Sequence, residues 1–107
     1  MTHDALTQSI IVAGDRLAEA TERELRLEDE RHTQKMNAML RLLGTENPTT
    51  GKAYSATAAN DFASTDTEYQ AYLGLLRNAT VEKLKARAYY EATVIRARLA
   101  ASEGVAA

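Results

Sequence analysis

Cysteine and tryptophan are absent from the 107 residues, and proline occurs once, at Pro48. Without cysteine the chain can form neither disulfides nor thiolate metal sites, and it has no cysteine nucleophile. The 13 Lys and Arg residues against 15 Asp and Glu give a net charge of −2, which lacks the basic excess of proteins that bind nucleic acid by bulk electrostatics. The apolar run 9–14 ends at Asp15 and is too short for a membrane span. We therefore expect a cytoplasmic protein with no membrane partner.

The scarcity of proline predicts long helices. Pro48 lies in a 22-residue insert, residues 44–65, between two proline-free stretches that are rich in good helix formers. The prediction is a single all-α domain over residues 1–107. It has a helix over 4–43, a short helix over 56–63 within the insert, and a helix over 66–102. The two long helices are expected to fold as an antiparallel hairpin.

Local signals set the expected helix ends. Asp4 is a suitable first cap, and Gly44 follows Leu43 as a left-handed stop. Ser55 can cap the short helix. Thr65 and Glu68 fit a capping box for the second long helix, with the Thr65 side chain as the cap.

The apolar pattern predicts self-association. Leu6, Ile10, Ala13, Leu17 and Ala20 follow a coiled-coil rhythm, and helix two carries a stripe of its own. A two-helix hairpin hides only one stripe per helix and so leaves apolar surface exposed to water. We therefore expect a coiled-coil or bundle homo-oligomer. The stripe of helix two consists of Tyr69, Tyr72, Leu73, Leu76, Leu84, Ala88, Ala92, Ile95 and Leu99. The predicted oligomer interface consists of Leu6, Ile10, Leu17, Leu84, Ile95 and Leu99.

Charges are segregated along the chain. Residues 19–30 carry six acids and two bases, whereas residues 77–98 carry six bases and two acids. A hairpin that closes near Leu43 and Tyr69 would place the acidic stretch beside residues 80–93. This arrangement predicts register control by complementary charges. The alternative is that most of these charges face water and contribute little.

No catalytic or metal-binding constellation is present. Asp29 and His32 share a helical face at a spacing found in di-metal bundles, but no second such pair completes a site. No histidine stands in position to activate a serine, and the Gly44…Gly51-Lys52 stretch lacks the spacing of a phosphate loop. We expect a protein that is not an enzyme and uses no cofactor.

Two surfaces are candidates for binding a partner. Thr49, Thr50, Lys52 and Tyr54 lie in the insert, whose length is unusual for a helix–helix connection and typical of a binding loop. The alternative is that the insert only caps the hairpin, with Tyr54 and Phe62 packed on Met39, Leu40 and Leu43.

The other candidate surface is the basic, tyrosine-bearing face of helix two, which would contact phosphates and stack bases in a nucleic-acid-binding accessory. Its residues are Lys83, Lys85, Arg87, Tyr89 and Tyr90.

The segment 47–55, followed by 65–69 and a charged helix, resembles small bacteriophage-encoded helical accessory proteins of undetermined role. The resemblance covers about 60 residues and implies an accessory or inhibitor acting on another protein in a bacterial host. The chain is thus expected to work by protein–protein interaction as a helical oligomer. The alternatives are a nucleic-acid-binding recombination accessory and a structural or scaffolding coiled coil.

Overall fold

A computed structural model describes residues 2–104, which are all-α. Two long helical segments flank an insert that carries a short helix, as the sequence predicts. Residues 1 and 105–107 of the predicted single domain lie outside the described residues. The elements are α1 (His3–Asp29), α2 (Arg31–Leu43), α3 (Ala56–Phe62), a 3₁₀ turn (Ala63–Thr65) and α4 (Thr67–Ser102).

The first long helix is interrupted at Glu30, where the sequence predicts one continuous helix over 4–43. The Glu30 N–H donates to the Leu27 carbonyl at 3.2 Å, in a three-residue step rather than a four-residue one. The Tyr72 hydroxyl also donates to that carbonyl. A side chain that inserts into a helical ladder is a known cause of such breaks, so Tyr72 accounts for this interruption.

Two helix starts differ by one or two residues from the predicted caps. The hydroxyl of Thr2, not the Asp4 carboxylate, accepts the Ala5 N–H at 3.1 Å, and α1 begins at His3. Asp66, not Thr65, caps α4, because its carboxylate accepts the Tyr69 N–H at 2.9 Å.

Of the two predicted ends of the shorter helices, one is confirmed and one differs. Ser55 caps α3 as predicted and accepts the Ala58 N–H at 3.1 Å. Gly44 ends α2 without a left-handed residue, since its φ is −84°. Its N–H donates to the Leu42 carbonyl instead, and a glycine is not required at this position.

The chain divides into two compact units. The central unit comprises Arg26–Arg77, and the terminal unit comprises the residues up to Leu25 and from Asn78 onward. The central unit is built around the ring of Tyr72, which stacks on Tyr69 with centroids 6.0 Å apart. The other core members are Ala38, Ala63 and Leu76, and Leu27, Met39 and Leu73 pack against them.

The terminal unit is lined by small residues. Ala13 of α1 and Ala79 of α4 are fully buried, and a Cβ on Gly14 would stand 3.6 Å from the Tyr90 ring. Small side chains let two helix backbones approach closely, but they remove little apolar area from water. Of the large apolar side chains in this unit, Leu6 is buried, whereas Leu84, Ile95 and Leu99 remain exposed to water.

Candidate protein-interaction surfaces

The first candidate surface is a short backbone ribbon in the insert, Thr45–Tyr54, which we call the tip ribbon. Glu46 and Ala53 form an antiparallel bridge. The Asn47 N–H donates to the Lys52 carbonyl at 2.7 Å, and the Tyr54 N–H donates to the Thr45 carbonyl at 3.2 Å. These bonds close the loop on itself, so the exposed residues between them have a defined arrangement.

Asn47 organises the turn of the tip ribbon. It is buried, and its side-chain Oδ1 accepts the Thr49 N–H at 3.0 Å. Its carbonyl accepts the N–H groups of Thr50 and Gly51, and Gly51 has a φ of +69°. An asparagine that bonds to the backbone two residues ahead, with a glycine in the left-handed region, is a characteristic turn arrangement. The turn leaves Thr49 and Thr50 exposed at its apex.

The structure displays three of the four predicted partner-binding residues. Thr49, Thr50 and Lys52 are exposed, whereas Tyr54 is half-buried. The Tyr54 ring meets Phe62 edge-on, with centroids 6.1 Å apart.

The side chains at this end of the insert remain open to water. Leu40 is 60% exposed, and Leu43 and Phe62 are exposed as well. The predicted packing of Tyr54 and Phe62 on Met39, Leu40 and Leu43 thus leaves apolar surface of the central unit exposed to water.

An ion-pair cluster joins the two ends of the insert. Arg41 of α2 contacts Asp66 at 2.5 Å and Glu68 at 2.9 Å. The hydrogen bond from Arg41, with the backbone bond from Tyr69 as a smaller cause, holds the pKa of Asp66 below its ordinary value. The same contact raises the pKa of Arg41. Because Asp66 also caps α4, one carboxylate fixes both the helix start and the closure of the insert.

One charged contact links the acidic and basic stretches within the terminal unit. Lys83 Nζ lies 2.6 Å from Glu24 Oε1, with the two side chains only 20% and 13% exposed. The bonds from Lys83 and then from Thr80 lower the pKa of Glu24. The predicted register placed Glu24 about one helical turn further along α4. Complementary charges thus do meet, at a register shifted by that turn.

The predicted nucleic-acid face is partly engaged within the chain. Lys83 is paired with Glu24, and Tyr90 covers Gly14. The guanidinium of Arg16 lies over the Tyr89 ring, 5.6 Å from its centroid. Lys85 and Arg87 are exposed, and Lys85 lies 3.7 Å from Glu82.

The predicted oligomer interface is divided between the inside and the outside of the fold. Leu6 is buried, and Ile10 and Leu17 are half-buried. The remaining members, on α4, face solvent at more than half exposure: Leu84 53%, Ile95 56% and Leu99 56%. In the second half of α4, the stripe read from the sequence is therefore largely the outer face.

Two exposed stripes lie in the terminal unit. The α1 stripe is Ile11, Ala18 and Leu25, and the α4 stripe is Val81, Ala88 and Ile95. Ala88 and Ile95 belong to the apolar stripe already predicted for helix two, whereas the α1 stripe was missed, although its spacing of seven residues is a signal that could have revealed it. Because Leu6 and Ile10 begin a stronger rhythm on α1, the weaker heptad beside it is easily overlooked.

The remaining polar features lie in two shallow depressions. A shallow groove in the terminal unit places Arg16, Arg23 and Lys85 beside Glu19 and Glu82, so its charge alternates in sign. His32 lies in a second depression with Glu28 and Asp29. Among residues 2–104, no group of three or more His, Cys, Asp or Glu side chains is arranged to hold a metal ion.

The helices also differ from membrane spans. None of those within residues 2–104 combines the length and the apolar composition that crossing a bilayer requires.

Comparison with known proteins adds no relative. No known protein family matches this chain, and no curated protein or solved structure is similar to it.

Proposed function

We propose that this chain is a non-enzymatic interaction protein, an accessory or inhibitor of the phage-encoded kind, which acts in the bacterial cytoplasm on another protein. It works as a homo-oligomer of antiparallel helical hairpins. The tip ribbon is its recognition element, and the outer apolar side chains of the terminal unit are its assembly surface.

The observation that carries the proposal is the distribution of large apolar side chains. Among the described residues, no large side chain is fully buried, while Leu84, Ile95 and Leu99 are each more than half exposed. Isolated exposed hydrophobic residues are ordinary, but several on one side of one helix are typical of an interaction surface. The fully buried residues of the terminal unit, Ala13 and Ala79, are small, so this unit gains further hydrophobic stabilisation by association.

Two contacts support the antiparallel hairpin within the terminal unit. Glu24 meets Lys83, and Arg16, earlier on α1, meets Tyr89, later on α4. Residue numbers thus rise along one helix as they fall along the other. Antiparallel pairing of α1 and α4 requires a segment that connects the two long helical stretches, and residues 44–65 supply it.

The tip ribbon supports the recognition role through its preorganisation. Its backbone bonds and the buried Asn47 fix the loop before any partner arrives, so little conformational entropy is lost on binding. Its apex offers two hydroxyl groups and one ammonium group, from Thr49, Thr50 and Lys52. This set favours a partner surface with carboxylates or backbone carbonyls.

Site-specific photo-crosslinking in a bacterial host tests this role. We expect a photoreactive residue at Thr50 to give a discrete crosslinked product, because the tip is the contact surface. The same residue at exposed Ser64, also in the insert, is the matched control and should give none. Lys52→Ala with the probe at Thr50 should weaken the product. Equal products from both positions would contradict recognition by the tip and favour a scaffolding role.

A further inference from the structure

The two exposed stripes of the terminal unit match each other in spacing and in size. Ile11, Ala18 and Leu25 read large, small, large at intervals of seven residues, and Val81, Ala88 and Ile95 do the same. All six side chains are exposed. Repeats of seven residues keep one helix face against a partner helix over several turns.

An antiparallel pairing brings the two stripes into full register. If Ala18 of one copy faces Ala88 of another, Ile11 falls opposite Ile95, and Leu25 falls opposite Val81. Two alanines at the centre allow the helix backbones to approach, and the larger aliphatic residues close the seam on either side. The match concerns residues of the terminal unit alone.

Charges beside the stripes agree with this pairing. Glu22 stands four residues after Ala18, and Lys85 stands four residues after Val81, so each lies beside its own stripe. In the register described above, Glu22 of one copy falls within one position of Lys85 of the other. Pairing the α4 stripe with a second α4 stripe would instead bring together two stretches in which Lys85, Arg87, Arg96 and Arg98 outnumber the acids Glu82 and Glu91. A second copy's α1 is therefore the better occupant.

We propose that copies of this chain associate head to tail, the α1 stripe of one copy packing antiparallel on the α4 stripe of the next. This inference rests on the proposed oligomer and specifies its contact. We infer that the two stripes of one copy engage two different neighbours, in which case the interface is heterologous and generates a ring or an open filament; a wild-type mass that stops at a dimer would overturn this in favour of reciprocal contacts in a two-fold dimer. A contact of one helix on another is at the small end of stable interfaces, so assembly depends on concentration.

Complementation between two variants tests the head-to-tail contact. Ala18→Glu blocks the α1 stripe and Ala88→Glu blocks the α4 stripe, and both sites are exposed, so the folded chain tolerates either change. We expect wild-type mass, measured by light scattering after size exclusion, to rise with concentration beyond a dimer. Each variant alone should stay monomeric. An equimolar mixture should form a species with one copy of each variant and nothing larger, through the one intact contact.

The control is Ala101→Glu, an exposed position on α4 outside the stripe, which should assemble as the wild type does. Melting curves by circular dichroism establish that each variant is folded. Wild-type assembly by Ala18→Glu would overturn the proposal in favour of an α4–α4 dimer. A monomeric wild type at every concentration would overturn it in favour of a foreign occupant. Neither result affects the crosslink at Thr50, so failure of this contact and failure of tip recognition are distinguishable.

Discussion

At the scale of single residues, Asp66 makes two separate stabilising contacts. Its carboxylate caps α4 through the Tyr69 N–H and pairs with Arg41 at 2.5 Å. The sequence around it is ambiguous, because Thr65 and Asp66 are both good capping residues and Glu68 fits a capping box with Thr65. The choice depends on Arg41, which lies 25 residues earlier. A partner so distant in sequence gives no local signal, so reading the sequence identifies the helix start only to within a residue.

The ion pair and the cap can be separated by two substitutions at Asp66. Asparagine caps helices about as well as aspartate, so Asp66→Asn should lose only the ion pair with Arg41 and should lower the free energy of unfolding slightly, because the pair is partly exposed. Asp66→Ala should lose about 1 kcal/mol more, from the missing cap. Urea unfolding at neutral pH measures both losses.

The pH dependence of the first loss follows from the pKa of Asp66. That pKa is depressed in the folded state, so the stability from ionisation is present above the ordinary value of 3.8 and is lost as pH falls through the folded-state value. The difference between wild type and Asp66→Asn should therefore shrink as pH is lowered from about 5 towards 2. A difference that stays constant to the acid end would mean that the Arg41 contact does not lower this pKa.

At the scale of elements, α4 shows why sequence reading succeeds for one half of a helix and fails for the other. Tyr69, Tyr72 and Leu76 are buried as the apolar stripe predicts, because the central unit has room for large side chains. Further along, the same rule places Ile95 inside, yet Ala79 is fully buried and Ile95 is exposed. Close helix packing selects small residues, and size alone does not reveal which face is close-packed. The helix itself is predictable from its composition, but the face that it buries is not.

The tip ribbon depends on one backbone conformation. Gly51 has a φ of +69°, and a side chain there is strained although its Cβ would meet nothing closer than 3.7 Å. We expect Gly51→Ala to lower the free energy of unfolding by about 1 kcal/mol and to weaken the crosslink from Thr50.

The matched control for the tip ribbon is Gly74→Ala, inside α4, where an added Cβ meets no atom within 4 Å. Alanine is the better helix former by roughly 0.5–1 kcal/mol, so this variant should be more stable than the wild type and should crosslink normally. If Gly51→Ala raises the urea midpoint as Gly74→Ala does, the strain assigned to Gly51 is wrong.

At the scale of the whole molecule, the charge distribution leads us to expect assembly rather than nucleic-acid binding. The net charge is −2, and Lys83 is already paired with Glu24 inside the terminal unit. The exposed bases Lys85 and Arg87 belong to the outer face that we assign to a second copy. We therefore expect the wild type to retard neither a DNA duplex nor a single strand in a gel shift, even at low salt, where phosphate contacts are strongest.

The same assignment fixes the result of Lys85→Ala with Arg87→Ala. The melting temperature should change little, because both side chains are exposed, whereas assembly at low salt should weaken through loss of the attraction to Glu22 of the neighbouring copy. Lys83→Met is the contrasting variant, and it should lower the melting temperature because it leaves Glu24 without its closest partner. A salt-sensitive gel shift that disappears in the double variant, with assembly intact, would instead establish helix α4 as a nucleic-acid surface. The outer face of α4 thus binds either a second copy of the chain or a nucleic acid, and the gel shift and the assembly measurement together identify which.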